Sequence, residues 1–238
     1  MKIEQPLVEA TLVRRYKRFL TDAVLADGTA VTAHCPNTGS LLGCKEPGSK
    51  IWLRDTENDA RKYRLSWQAI LVGKTWVNVD TSLPNAEVFA AITEGRVPAL
   101  AGYDAAKREV KYGKNSRIDV LLQNASGERC YVEVKNTTLA EGDLALFPDA
   151  VTERGKKHLG ELTEVVRQGH RAVQFFFVSR DDVRRFRPAD AIDPAYSEAL
   201  RAAAEAGVEV MAWSSKVREK SIVLHRELEV DLTPPAQT

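Results

Sequence analysis

The chain has 238 residues, of which 44% are hydrophobic and 28% charged, a composition typical of a globular protein and not of a disordered or fibrous one. This length is sufficient for one large domain or two modest domains with their own cores. The formal net charge of +1 gives no overall electrostatic sign of a nucleic-acid binder, so such a function would depend on local basic clusters.

Cysteine usage and hydropathy predict a reduced, cytoplasmic protein. The three cysteines, Cys35, Cys44 and Cys130, have no CxxC spacing, which favours buried thiols over a zinc site or a disulfide. The N-terminal run MKIEQPLVEATLVRRYKRF contains no apolar signal-peptide core. The longest strongly apolar run, AVQFFFV (172–178), is too short to cross a bilayer, so no membrane association is expected.

Residues 7–80 are almost entirely typical of short β-strands. The runs LVEATLVRR, RFLTDAVL, TAVTAHC, SKIWLRD, YRLSWQAILVG and TWVNVD are separated by DG, NTG, PG and GK turns. Five or six short strands with no helical period predict a small closed barrel. We therefore expect a barrel domain over residues 1–80 and a second domain over residues 81–238.

Beyond residue 80 the pattern changes to alternating helices and strands. Helices are predicted at NAEVFAAITEG, DAVTERGKKHLGELTEVVRQG and AYSEALRAAAEAG, and strands at REVKYG, SRIDVLLQ, CYVEVK, AVQFFFV and VEVMAWS. In the second helix, Val151, Leu159, Leu162 and Val166 recur at helical spacing and predict its buried face. This order predicts a mixed sheet flanked by helices.

A hairpin in this region predicts a pair of facing carboxylates. Between LLQN and ERCY lie three residues ending in Gly127, and a three-residue loop of this kind sets Asn124 opposite Glu128. Counting back along both strands then sets Asp119 directly across from Glu133. Two facing carboxylates repel unless a cation or a proton lies between them. The pattern therefore indicates a divalent-metal site, and oxygen donors favour Mg²⁺ or Mn²⁺ over zinc.

Lys135 projects from the same strand face as Glu133, where it could assist an attacking water or stabilise charge on a phosphate. The Glu-x-Lys triplet alone has little weight, because Glu109-Val110-Lys111 repeats it. The competing interpretation is a surface ion pair between Glu133 and Lys135, with Asp119 solvated nearby. Glu109 is a further candidate metal ligand.

Several blocks of the sequence resemble one family closely. Asp119 followed by Glu133-x-Lys135 on the next strand resembles the PD-(D/E)xK nuclease core, although Ile118 stands where that motif usually has proline. YKRFL (16–20), HCPNTGSLLGC (34–44), VKYGKNSRID (110–119), YVEVKNTTLA (131–140) and FPDAVTERGKKHL (147–159) are similar to the sugar fermentation stimulation protein A (SfsA) family. The blocks span nearly the whole chain.

The resemblance implies an N-terminal OB-fold-like barrel followed by a PD-(D/E)xK nuclease-like domain in a DNA-binding protein. It implies Asp119, Glu133 and Lys135 as catalytic residues, with Mg²⁺ (or Mn²⁺) held by Asp119, Glu133 and the Val134 carbonyl. On the following helix, Arg154 and Lys157 are expected to contact phosphates, and a solvated charged face is the alternative. His158 could be a general acid, but a single histidine on a helix is more often structural.

The barrel has its own candidate nucleic-acid surface. Basic residues are interleaved with aromatic residues in the run Arg14, Arg15, Tyr16, Lys17, Arg18 and Phe19. OB-type barrels bind single strands along a basic groove with bases stacked on aromatic rings. The same run is also typical of an ordinary amphipathic strand.

The resulting hypothesis is a DNA-binding protein with a metal-dependent phosphodiester hydrolase (nuclease) site. The alternative is a non-catalytic, sequence-tolerant DNA-binding or regulatory protein linked to sugar metabolism genes. The sequence leaves open whether the partner is DNA or RNA, with DNA favoured, and gives no indication of a homo-oligomer.

Overall fold

Six strands form the N-terminal part of the computed structural model, which describes residues 2–112 and 116–235. They are β1 (Leu7–Tyr16), β2 (Leu20–Leu25), β3 (Ala30–His34), β4 (Lys50–Asp55), β5 (Leu65–Val72) and β6 (Thr75–Asn78). Their order in the sheet is β3-β2-β1-β4-β5-β6, and pairing of His34 with Ser66 joins β3 to β5. The first five strands therefore close into a ring, which confirms the OB-like barrel.

The barrel core follows from the alternation of side chains along each strand. On β4, Ile51 and Leu53 are fully buried, whereas the neighbouring Trp52 and Arg54 are only partly buried. The inward residues pack with Trp67, whose indole N–H donates to the Ala69 carbonyl at 3.0 Å. Each buried apolar side chain of this size contributes roughly 1.5–3 kcal/mol to folding.

The C-terminal part contains helices and two further sheets within the described residues. The helices are α1 (Pro84–Thr93), α2 (Glu153–Arg167) and α3 (Pro194–Glu205), with a short 3₁₀ turn at Pro98–Leu100. The strands are β7 (Ala105–Tyr112), β8 (Ser116–Gln123), β9 (Arg129–Thr137), β10 (Ala140–Glu141), β11 (Leu144–Phe147), β12 (Arg171–Val178), β13 (Arg185–Pro188), β14 (Glu209–Arg218), β15 (Ser221–Glu227) and β16 (Glu229–Val230).

The larger sheet has the order β15-β14-β12-β9-β8-β7. Strands β9, β12 and β14 are parallel, and the outer strands pair antiparallel, so the sheet is mixed as predicted. Helix α1 packs on one face, where Val88 and Ile92 join a core with Val132. Helices α2 and α3 pack on the other face through residues such as Leu159 and Leu200. Helices on both faces of the sheet therefore enclose the strands that carry Asp119 and Glu133.

The start of α2 differs from the prediction. Val151 was expected on the buried face, but it precedes the helix and its side chain is 67% exposed. The helix begins later because Thr152 is its N-cap, with the Thr152 hydroxyl accepting from the Gly155 N–H at 3.1 Å. Such a cap satisfies one of the backbone donors that a helix start leaves unpaired. Leu159 and Leu162 are buried as predicted.

A small sheet of order β10-β11-β13-β16 was not predicted. Its strands have two to four residues each, too short to show an alternation in the sequence. It covers the α2 side of the larger sheet, where Phe186 stacks on Phe176 with ring centroids 4.1 Å apart. The sheet thereby positions β11 beside the end of β9.

Three further expectations concern the chain as a whole. The cysteines are free and buried, as expected. Across residues 2–112 and 116–235, no helix is both long and apolar enough to span a membrane. Strand β6 ends at Asn78 and α1 begins at Pro84. The domain boundary that the sequence places at residue 80 stays a prediction. The middle of the family-like block at 110–119, residues 113–115, lies outside the described residues.

Candidate active site

The β8–β9 hairpin has the register that the loop length predicts. The Asn124 N–H donates to the Glu128 carbonyl at 3.1 Å, and Gly127 has a φ of +88°, a conformation that favours glycine. Regular pairs run from Gln123–Arg129 to Val120–Val132. One step further along both strands lie Asp119 and Glu133, so the hairpin brings the two predicted carboxylates to neighbouring positions.

The strands separate at Asp119, where side-chain bonds replace the backbone ladder. The Val134 N–H donates to Asp119 Oδ2 at 2.7 Å, and Asn85 Nδ2 donates to Asp119 Oδ1 at 2.6 Å. On the other side of β8, Glu109 has a φ of +54°, and the β7–β8 pairing skips from Arg108–Val120 to Val110–Ile118. Glu109 lies opposite Asp119 in that register, so the regular pairing of β8 is interrupted at Asp119 on both of its sides.

Glu133 is almost fully buried and holds two basic side chains on one oxygen. Lys135 Nζ donates to Glu133 Oε1 at 2.7 Å, and His158 Nδ1 on α2 contacts the same oxygen. Arg154 Nε donates to His158 Nε2 at 3.4 Å, and Lys135 Nζ lies 3.1 Å from His158 Nδ1, so both ring nitrogens have polar contacts. Among the described residues, Glu133 Oε2 is buried and has no hydrogen-bond partner.

The two carboxylates have opposite pKa shifts. Burial raises the pKa of Asp119, and the charge of Glu133 raises it further, to about 7. Burial also raises the pKa of Glu133, but the hydrogen bond from His158 and the charge of Lys135 outweigh it and leave that pKa below its ordinary value. Glu133 is therefore ionised at neutral pH, whereas Asp119 takes up a proton far more readily than an ordinary aspartate.

The donor set fits a hard divalent cation. Glu133 Oε2 is a buried, unpartnered carboxylate oxygen, and Asp119 holds a proton that a cation could replace. Val134, whose carbonyl is the third predicted ligand, comes two residues after the last regular β8–β9 pair. Across the described residues, this site included, no group of three or more His, Cys, Asp or Glu side chains is arranged to hold a metal, so further ligands here would have to be backbone carbonyls or water. Two carboxylates with a carbonyl suit Mg²⁺ or Mn²⁺ better than zinc.

A cleft of about 550 Å³ opens onto Asp119. Arg154 and Lys157 of α2 line this cleft, and both are exposed. Lys157 Nζ lies 3.6 Å from Glu161 Oε1, a long ion pair in which the Lys157 side chain is about half exposed and Glu161 is largely buried. Glu109 lines the same cleft. The structure thus brings the two predicted phosphate contacts to the mouth of the carboxylate site.

The predicted basic–aromatic run of the barrel divides into two kinds of residue. Arg15 donates to the carbonyls of Asn37 and Gly39 at 2.8 and 2.7 Å, and Arg18 donates to the Thr38 carbonyl at 2.9 Å. These two guanidinium groups therefore hold the loop over residues 37–40.

Of the remaining residues of the run, Arg14, Lys17 and Phe19 are exposed and Tyr16 is partly buried. Arg14 pairs with Asp22 at 2.9 Å and lies over the Tyr16 ring, 4.7 Å from its centroid. Lys17 and Phe19 project at the β1–β2 turn, where Phe19 is 46% exposed. The run lies on a separate domain from Asp119, and its role in nucleic-acid binding stays a prediction.

Two site residues were missed or underrated in the sequence. Asn85 lies in the first turn of α1 and bonds to the Asp119 carboxylate. Its sequence, PNAE, looks like an ordinary helix start and gives no sign of that contact. His158 was judged more often structural, yet it is 6% exposed and bonded to Glu133. Its spacing from Arg154 on one helix face was the available signal.

The fold and the site together define a protein with a closed OB-like barrel and a helix-flanked mixed sheet, in which Asp119 and Glu133-x-Lys135 lie where two strands separate. Residues 13–79 match the family model described as the SfsA N-terminal OB domain. Residues 82–221 match the model described as the sugar fermentation stimulation protein RE domain. The chain belongs to the SfsA family.

Relatives cover the chain from end to end. A sugar fermentation stimulation protein homolog of Pelobacter propionicus is 53% identical over 227 residues, covering 95% of this chain and 98% of its own length. A homolog of Geobacter metallireducens is 52% identical over 233 residues, covering 98% and 100%. The structure of Pyrococcus furiosus SfsA in complex with Ca²⁺ superposes with a TM-score of 0.86 at 30% identity, covering 97% of this chain and 98% of that one.

Proposed function

We propose that this protein is a divalent-metal-dependent nuclease that binds DNA and hydrolyses its phosphodiester bonds. The observation that carries the proposal is the environment of Glu133, whose Oε2 atom is buried and unpartnered next to the partly protonated Asp119. A carboxylate oxygen left in this state costs folding free energy, which binding of a cation would recover. The Ca²⁺ in the related P. furiosus structure supports a divalent-cation site in the family.

The proposed cation is Mg²⁺ or Mn²⁺, held by Asp119, Glu133 and the Val134 carbonyl. When bound, it would supply Lewis-acid polarisation of the phosphate and a nucleophile at neutral pH. Lys135 is held by Glu133 at 2.7 Å and adds positive charge where negative charge grows on the phosphate. His158 fixes the Glu133 carboxylate from α2, so the acid can present Oε2 without moving.

The substrate is proposed to lie along the cleft. Arg154 and Lys157 line its mouth and would neutralise the phosphates on either side of the scissile bond. On the barrel, Lys17 and Phe19 are exposed and would supply one cationic and one stacking contact to a single strand. Binding is therefore expected to weaken with salt, as for other proteins that neutralise phosphates.

Cleavage of labelled single- and double-stranded DNA tests the proposal. The wild type should cut in Mg²⁺ or Mn²⁺ and not in EDTA, and Glu133→Gln and Lys135→Ala should lose cleavage while still binding DNA. A wild type that binds DNA in every cation but never cuts it would instead favour the alternative, a non-catalytic DNA-binding protein.

A further inference from the structure

A second polar cavity, of about 170 Å³, lies where the barrel meets the end of β9. Thr137 lines it and follows Lys135 by two residues, so both side chains are on the same strand face about 7 Å apart. The carboxyl end of a parallel strand is also where open α/β sheets usually bind ligands. The cavity is therefore adjacent to the carboxylate site but separate from it.

Thr137, one of the residues that line this cavity, has an unsatisfied hydroxyl group. The residue is 1% exposed, and its Oγ1 atom has no hydrogen-bond partner among the described residues. Buried hydroxyl groups are nearly always bonded, and an exception in a cavity wall calls for an explanation. A ligand that bonds to this hydroxyl would supply one.

The opposite wall is built by close approach of the two domains. Asp149 accepts from the Leu41 N–H through Oδ2 at 2.8 Å, and its carbonyl accepts from the Ser40 hydroxyl at 2.5 Å. A Cβ added to Gly39 would lie 2.9 Å from Asn37 Oδ1 and 3.4 Å from Asp149 Oδ1, so a larger residue would push against both side chains. The Asp149 carboxylate is thereby fixed in the cavity wall.

The chemistry of the walls indicates the class of ligand. A carboxylate lines the cavity, and no lysine or arginine of the described chain does, so a phosphate would be repelled. Phe147 offers a ring, and Thr137, Asn37 and Asp149 offer hydrogen-bonding groups. The volume equals about five or six waters at roughly 30 Å³ each, enough for a single ring system. Extruded bases are read by stacking and edge hydrogen bonds in pockets of this kind.

We propose that the cavity receives one unpaired nucleobase of the strand whose phosphate lies at Lys135. Asp149 accepts hydrogen bonds only, so the cavity favours a base with an exocyclic amino group. This inference rests on the proposed function, because it requires a nucleic acid at the carboxylate site.

Single-stranded oligo(dC) and oligo(dU) of equal length test the inference, because cytosine has an exocyclic amino group at the position where uracil has a carbonyl. Affinity is measured by fluorescence anisotropy in EDTA at mildly alkaline pH, where no cleavage competes. The wild type should bind oligo(dC) about tenfold more tightly, the value of one hydrogen bond to a charged group. Asp149→Asn can still accept from Leu41 but adds a donor, so the preference should shift toward oligo(dU).

Thr137→Val removes only the unpartnered hydroxyl and should weaken binding of both oligonucleotides several-fold without lowering Tm. Thr21→Val is its matched control, because Thr21 is 0% exposed on β2 and its Oγ1 is likewise unpartnered within the described chain. This control should leave both affinities unchanged. Equal affinity for the two oligonucleotides in wild type and Asp149→Asn would overturn the base-binding cavity.

The outcomes also separate this inference from the proposed function. Base discrimination by a protein that never cuts DNA in Mg²⁺ or Mn²⁺ would support the cavity and contradict the nuclease. Cleavage without base discrimination would support the nuclease and contradict the base-binding cavity. Failure to bind either oligonucleotide would overturn the cavity together with the single-strand contacts of the proposed function.

Discussion

His158 on α2 contacts one carboxylate oxygen of Glu133 on β9 and leaves the other oxygen without a partner among the described residues. The contact fixes the carboxylate from outside its own sheet, because Arg154 in turn donates to the far nitrogen of the imidazole. A carboxylate held in this way presents Oε2 in a constant position. The arrangement is typical of residues that orient a metal ligand.

Replacing His158 should therefore weaken metal binding without removing a ligand. We expect His158→Gln to lower Mn²⁺ affinity about tenfold or more, because Glu133 loses the bond that orients it. Isothermal titration calorimetry measures the change. His225→Gln, at an exposed position of β15, is the control and should bind Mn²⁺ as the wild type does. Unchanged affinity in His158→Gln would show that Glu133 needs no support from α2.

Asp119 should contribute a loss of stability in the metal-free protein as the pH rises from about 4 to 7. Asp119 has a pKa of about 7 in the folded protein, but near 3.9 when unfolded. Between these values the unfolded chain has lost a proton that the folded chain still binds, so rising pH favours unfolding, by a few kcal/mol in all. The loss is complete about one pH unit above the folded-state pKa of Asp119.

Asp119→Asn isolates that effect. We expect the variant to gain stability relative to the wild type as the pH rises from about 5 to 8, in urea titrations with EDTA. Glu198→Gln, an exposed carboxylate on α3, should show no such gain. Parallel pH profiles for the wild type and Asp119→Asn would contradict the raised pKa of Asp119.

Alanine variants of Arg15 and Lys17 should affect different properties of the barrel, stability in the first case and nucleic-acid binding in the second. Arg15→Ala loses the bonds to the carbonyls of Asn37 and Gly39, and we expect it to lower the free energy of unfolding by about 2 kcal/mol. Lys17→Ala should leave stability within about 0.5 kcal/mol but weaken DNA binding and reduce its salt slope by about one. Urea denaturation and DNA titrations at several salt concentrations measure both. Equal effects of the two variants on stability would contradict this division.

Replacing each of two glycines of α2 by alanine should change the stability of the protein in opposite directions. A Cβ on Gly155 would lie 2.9 Å from Tyr196 Cε2, so Gly155→Ala should separate α2 from α3 and cost about 1–3 kcal/mol. A Cβ on Gly160 meets nothing within 4 Å, so Gly160→Ala should stabilise the protein by up to about 1 kcal/mol. Thermal unfolding of the two variants checks the sign of each change. Destabilisation by Gly160→Ala would contradict the open space seen there.

Local rules explain which parts of the site could be predicted. The loop ending in Gly127 fixes the hairpin register, and the register fixes Asp119 relative to Glu133 within one short segment. Lys135 follows from the alternation of strand side chains. These inferences needed no knowledge of the rest of the fold.

The remaining residues depend on long-range packing. Asn85 reaches Asp119 because α1 crosses the sheet, and Arg15 bonds to a loop more than twenty residues away, at Asn37 and Gly39. Neither partner can be read from spacing along the chain. The start of α2 was a different kind of error, since Thr152 is a good N-cap residue that the hydrophobic pattern through Val151 obscured.

Binding of Mn²⁺ to Glu133→Gln is the measurement that tests the central claim most directly. The account predicts that Mn²⁺ raises the Tm of the wild type and fails to raise that of Glu133→Gln. Glu161→Gln is the matched control, because Glu161 Oε2 is also buried and unpartnered in the described chain but has no second carboxylate set opposite it by a hairpin. Glu161→Gln should retain the Mn²⁺ shift. An equal shift in wild type and Glu133→Gln would contradict a cation site between Asp119 and Glu133.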